Sequence, residues 1–103
     1  MTTDNNIYDP LGIEIFAIDE TFDSMFNALK GVYARLYFKE SYRPEATRNK
    51  ENEAAFLARS REFNQLKRSF KHNDWIGKRE AVKQYSPELK KMIAIELSEY
   101  AMY

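Results

Sequence analysis

Apolar residues recur along most of this chain at intervals of three and four, the spacing that keeps one face of an α-helix hydrophobic. Phe22, Met25, Phe26, Leu29, Tyr33, Leu36 and Tyr37 hold that spacing through four turns and predict a helix over 20–40. Asp19 or Thr21 is placed to cap it, and the acids Asp19, Glu20 and Asp23 sit where the helix dipole favours negative charge. Gly31 lies inside this helix at a cost of roughly 1 kcal/mol relative to alanine, a small residue suited to close approach of another element. Ser41-Tyr42-Arg43-Pro44 ends the pattern, because proline disfavours helix in the residue before it.

A second helix is predicted over 45–72 from Ala55, Phe56, Phe63, Leu66 and Phe70, with the turns around Asn49 frayed. Asn73-Asp74 closes it, and Asp74 caps a short helix containing Trp75, Ile76, Ala81, Val82 and Tyr85. Ser86-Pro87-Glu88 then reads as a fresh start: a capping residue, a proline at the first helical position, and an acid beside the dipole. The last helix, 87–101, carries Leu89, Met92, Ile93, Ile95, Leu97 and Tyr100 around much of its circumference. Such a helix is either central to the fold or shared with a second copy, so a homodimer through 87–101 is expected.

The N-terminal arm is ambiguous. Residues 1–7 are polar and aperiodic, and Asp9-Pro10-Leu11-Gly12 forms a turn signal, so 1–12 is expected to be flexible or turn. The segment 13–18 (Ile-Glu-Ile-Phe-Ala-Ile) has strand composition, yet Asp9-Pro10 equally suits a helix cap and first helical position. No second strand follows, so a strand here would need the terminus, a copy of itself or a partner chain to pair with. The fold class is therefore all-α: one domain spanning 1–103, a compact bundle of three to four helices with an arm that forms at most one short strand. Its core is expected to contain Phe22, Phe26, Leu29, Tyr33, Leu36, Phe56, Phe63 and Phe70.

Charge adds a polarity that periodicity does not show. The chain balances 16 Lys and Arg against 16 Asp and Glu, so net charge alone holds it to neither nucleic acid nor an anionic membrane. Residues 1–30 nevertheless carry six acids and one base, while 31–72 carry ten bases and five acids. Either these blocks pair with each other in the fold, or they present opposite signs to partners. Without cysteine there is no disulfide framework or thiolate metal site, and no apolar run approaches membrane-helix length. A cytoplasmic protein that does not enter a membrane is expected.

Signatures of catalysis are missing. No GxGxxG, P-loop, HExxH or GxSxG motif occurs, and the lone His72 stands in a Lys-His-Asn-Asp turn. The reading is of a non-enzyme without cofactor or metal. Two binding surfaces compete instead. Lys50, Arg61, Asn64, Arg68 and Lys71 fall in one sector of the second helix, a donor row suited to a phosphate backbone. The bland alternative for that row is a solvated face, or one docked beside the acidic N-terminal block.

Fifteen aromatic residues exceed what the core stripes absorb, and Phe38 projects away from the first stripe. Tyr42, Tyr85, Tyr100 and Tyr103 sit at element ends, among Arg35, Arg43 and Arg79. Tyrosine and arginine are enriched at interface hot spots, so Arg35, Phe38, Tyr42 and Arg43 are the candidate partner-binding residues. The expected function is that of a protein-binding accessory or inhibitory protein, by analogy one from a phage or other mobile element. The runner-up is a small helical nucleic-acid-binding protein acting through the basic face of 45–72.

Overall fold

The computed structural model describes residues 10–100 and contains three helices: α1 (Pro10–Ser41), α2 (Lys50–Ser69) and α3 (Trp75–Glu99). The protein is all-α, and among the described residues there is no strand. The segment 13–18 lies within α1, so its ambiguity resolves as helix. Pro10 is the first helical residue, where a missing N–H costs nothing. Because α1 starts there, Asp19 and Thr21 cap nothing, and Asp19 instead accepts a hydrogen bond from Lys78 Nζ at 2.8 Å.

α2 runs antiparallel to α1, with the Lys67 ammonium near Asp23 and Ser60 donating to the Lys30 carbonyl. α3 returns parallel to α1, from the Lys78–Asp19 pair at one end to the Arg35–Glu96 pair at the other. Both helices pack on α1, while no Cα of α2 comes within 8 Å of one in α3 among the described residues. Between α2 and α3 only long side chains meet. Phe63 and Tyr85 do so edge to face at 5.3 Å, and Arg59 reaches Glu88 at 2.7 Å.

Asp74 caps its helix as expected, while Asn49, expected within a frayed first turn, is the cap of α2. The Asn49 side chain accepts from the Asn52 N–H at 3.0 Å, and that of Asp74 accepts from the Gly77 N–H at 3.0 Å. α2 begins only at Lys50, because residues 44–47 form a turn closed by the Pro44 carbonyl. It ends at Ser69 rather than 72, with Phe70 extended.

The expected break at Ser86-Pro87 does not occur: Pro87 lies inside α3, and the two expected helices are one. Proline leaves the carbonyl four residues earlier, that of Lys83, without its helical donor. Lys83 is exposed, so water can take that carbonyl, and the Ser86 hydroxyl holds the neighbouring Val82 carbonyl at 2.6 Å. Continuity is enforced from both sides of the proline, since Ala81 and Met92 are both buried on the same core.

Phe22, Phe26, Leu29, Tyr33, Leu36 and Phe63 form the core as expected, with Phe56 and Phe70 half-buried against it. Met25, Val32, Ala81, Met92 and Tyr100 complete it. Of the aromatics read from sequence as marginal, Tyr100 is a core residue packed on Phe56, and Tyr85 is half-buried against Phe26 and Phe63.

Candidate functional site

Three glutamates lie on the inner sides of α1 and α3, and each is claimed by donors from another segment. Glu96 accepts Arg35 Nε at 2.8 Å, Arg35 Nη2 at 2.9 Å and Lys39 Nζ at 2.8 Å. The Arg35 guanidinium, joined by Lys39 and opposed by burial, brings the Glu96 pKa down from 4.5 to about 2. Glu88 takes both arms of Arg59 and the Tyr33 hydroxyl. Arg59 holds its carboxyl below the ordinary value despite burial, and burial with the Glu88 contact pushes the Tyr33 phenol up.

Glu40, with none of its surface exposed, accepts from the Tyr100 hydroxyl and the Asn49 N–H and lies 3.3 Å from Arg43 Nη1. Burial raises its pKa, but the Tyr100 hydroxyl, the Asn49 N–H and the charges of Arg43 and Arg48 outweigh it, and the net shift is downward. These three carboxylates, each held by several donors, tie the helices together. Among the described residues no group of three or more His, Asp or Glu is placed to hold a metal ion. No helix there is long and apolar enough to cross a membrane.

These pairs also show how the charge polarity is used. The acidic block sends Asp19 to Lys78, Glu14 to Arg79 and Asp23 to Lys67. The basic block sends Arg35, Lys39 and Arg59 to Glu96 and Glu88. Most partners of both blocks thus come from the balanced segment 73–103, and Lys67–Asp23 at 3.7 Å is the one described pair between acidic and basic blocks.

The four aromatic and arginine candidates separate into two kinds. Phe38, near the end of α1, and Tyr42, just beyond it, are 54% and 76% exposed. Arg35 is pinned by its two bonds to Glu96. Arg43 turns inward, its guanidinium 4.2 Å over the Tyr100 ring and donating to the Glu99 carbonyl at 3.0 Å. Arg43 is a packing residue, because its guanidinium is spent within the fold. On α3, Leu97 and Ile93 are exposed on either side of Glu96 in sequence, the first at 69%. Sequence reasoning did not single them out from the other apolar residues of that helix.

The basic row is placed differently. Lys50, Arg61, Arg68 and Lys71 are exposed, and none has a hydrogen-bond or ion-pair partner among the described residues. Asn64 accepts from Lys30 Nζ at 3.3 Å. Beside this row runs a groove of about 470 Å³ between α1 and α2, floored by Gly31, Ala34 and Ser60 and walled by Lys30, Arg61 and Asn64. No atom of another helix lies within 4 Å of a Cβ built at Gly31, so that glycine opens a groove rather than admitting a neighbour. No known protein family matches the chain, and no curated protein or solved structure does either.

Proposed function

We propose that this is a non-enzymatic protein that works by binding another protein, in an accessory or inhibitory role of the kind phages and other mobile elements encode. The observation that carries the reading is the exposed pair Phe38 and Tyr42, an aromatic step where α1 ends. A small chain that buries most of its aromatics in one core has no packing reason to leave two rings in water one turn apart. Arg35 beside them is already ordered by Glu96, so a partner meeting this face immobilises few side chains, which lowers the entropic cost of association. Leu97 and Ile93 extend the exposed apolar surface onto α3.

Affinity capture from source-cell lysate, quantified by mass spectrometry, tests it. The wild-type chain should retain a stoichiometric protein that a Phe38→Ser/Tyr42→Ser variant loses while keeping its helical circular dichroism. Retention of the same proteins by the folded double variant, or capture of none by the wild type, overturns the reading.

A further inference from the structure

We propose a second binding site on a different face: the groove between α1 and α2, with Lys30, Arg61, Asn64, Arg68 and Lys71, is a site for the phosphate backbone of double-stranded nucleic acid. The argument begins with pairing. About half of the described cations find carboxylates, but Arg61, Arg68 and Lys71 have none, and Glu14, Asp19 and Asp23 of the acidic block are engaged with other cations. Within this patch the Asp23 carboxylate lies beside Lys67 alone, leaving Lys30, Arg61, Arg68 and Lys71 as an excess of positive charge. Unpaired like charges repel one another, so the row weakens the free fold slightly and gains most from a partner that is itself a row of anions.

Geometry narrows the partner. Arg61 and Arg68 repeat along one face of α2, about 10 Å apart on the helix axis, and Lys30 stands across the groove on α1. The side chains of the row itself are cationic donors and one amide, which suits phosphate oxygens, and the neighbouring exposed carboxylate Glu62 is turned to Arg59. The floor of Gly31, Ala34 and Ser60 is shallow and small, so a backbone can lie close to both helices. None of the groove-lining side chains is aromatic, and recognition of single strands depends on stacking platforms. That favours a duplex, held by its backbone and without base readout. Lys50, at the far end of the row, is one turn from Glu53, a half-buried acid with one oxygen unpartnered, and is left outside the site.

Fluorescence anisotropy with a labelled 20-base-pair DNA duplex tests the assignment. Binding should be detectable at low salt and independent of sequence. With about four cations engaged, log Kd should rise with log salt at a slope near 3 to 4. Arg61→Gln and Arg68→Gln, both at exposed positions, should each reduce that slope by about 0.9, while Lys90→Gln on the exposed side of α3 leaves it unchanged. Absence of binding at low salt, or a slope that ignores Arg61 and Arg68, overturns the site. Tighter binding of a single strand of equal phosphate number overturns the duplex assignment, and equal competition by polyglutamate overturns the phosphate assignment. Phe38→Ser/Tyr42→Ser should bind the duplex like the wild type, which keeps this test separate from that of the protein-binding face.

Discussion

The Tyr100 hydroxyl donates to the Glu40 carboxylate at 2.5 Å, closing the end of the molecule where α1, the α1–α2 turn and the end of α3 converge. Glu40 is wholly buried, and Asn49 and Arg43 complete its shell. Burial, reinforced by Glu40, pushes the Tyr100 phenol up to about 12. Tyr100→Phe keeps the ring against Phe56 and under Arg43 but removes one donor from a charge that water cannot reach. The expected loss is about 1.5–3 kcal/mol, the range for hydrogen bonds to charged groups, seen in urea as a lower midpoint with an unchanged slope. A midpoint equal to that of the wild type would show that the hydroxyl contributes nothing there.

Acid should destabilise the fold in a defined window. Glu96, drawn down to about 2 chiefly by Arg35, is the largest contributor, and Glu88 is shifted in the same direction chiefly by Arg59. A carboxylate with a depressed folded pKa contributes its full stability above the unfolded value near 4.5 and loses it as pH falls toward the folded value. Unfolding free energy should therefore be flat above about pH 5.5 and fall by roughly 2 kcal/mol or more toward pH 2.5. Glu96→Gln should be less stable at neutral pH and show a shallower decline. A wild-type profile without slope between pH 5 and 2.5 contradicts the pairing.

Periodicity made the core legible: the stripe from Phe22 to Leu36 and the position of Phe63 needed only a 3.6-residue repeat. The cap Asp74 and the stop before Pro44 were legible for the same local reason, whereas Asn49, expected inside a frayed turn, is the cap itself. What remained hidden was set by tertiary contact. Glu96 and Glu88 look like ordinary surface acids in sequence, because the donors that bury them lie 61 and 29 residues away. Arg43 resembled an interface arginine until Tyr100 placed its ring beneath it. Of the two candidate surfaces, Phe38 was legible because it breaks its own stripe, whereas the groove beside Arg61 requires knowing that α2 runs antiparallel on α1.

Pro87 and Gly31 are two places where local propensity loses to packing, so each should be improvable. Pro87→Ala restores a donor for the Lys83 carbonyl inside α3. Interior proline costs about 3 kcal/mol in a helix, partly offset by its restriction of the unfolded chain, so a gain of about 1–2 kcal/mol is expected. At Gly31 an added Cβ meets only the Arg35 guanidinium at 3.3 Å, a flexible tip that can yield. Gly31→Ala should gain about 0.5–1 kcal/mol. Thermal unfolding of both variants measures this, and a lower midpoint for Pro87→Ala would mean that the proline is required by a bend in α3.

The apolar surface left exposed between residues 87 and 100 bears on the homodimer expected through that segment. From sequence the helix looked rich enough in apolar residues to be shared with a second copy, but Met92 and Tyr100 are buried within the chain, and Leu89 and Ile95 pack half-buried against its core. Ile93 and Leu97 are the large apolar side chains left exposed between residues 87 and 100. A stable dimer needs on the order of 800 Å² from each partner, more than two aliphatic side chains supply. Multi-angle light scattering at micromolar concentration should therefore give the 12.2 kDa chain mass. Twice that mass would assign Leu97 to a homodimer, and Leu97→Glu should then restore the monomer. The expected monomer instead leaves Leu97 beside Arg35–Glu96 as part of the face that meets a different protein, where Leu97→Glu should weaken capture of that partner without changing the mass.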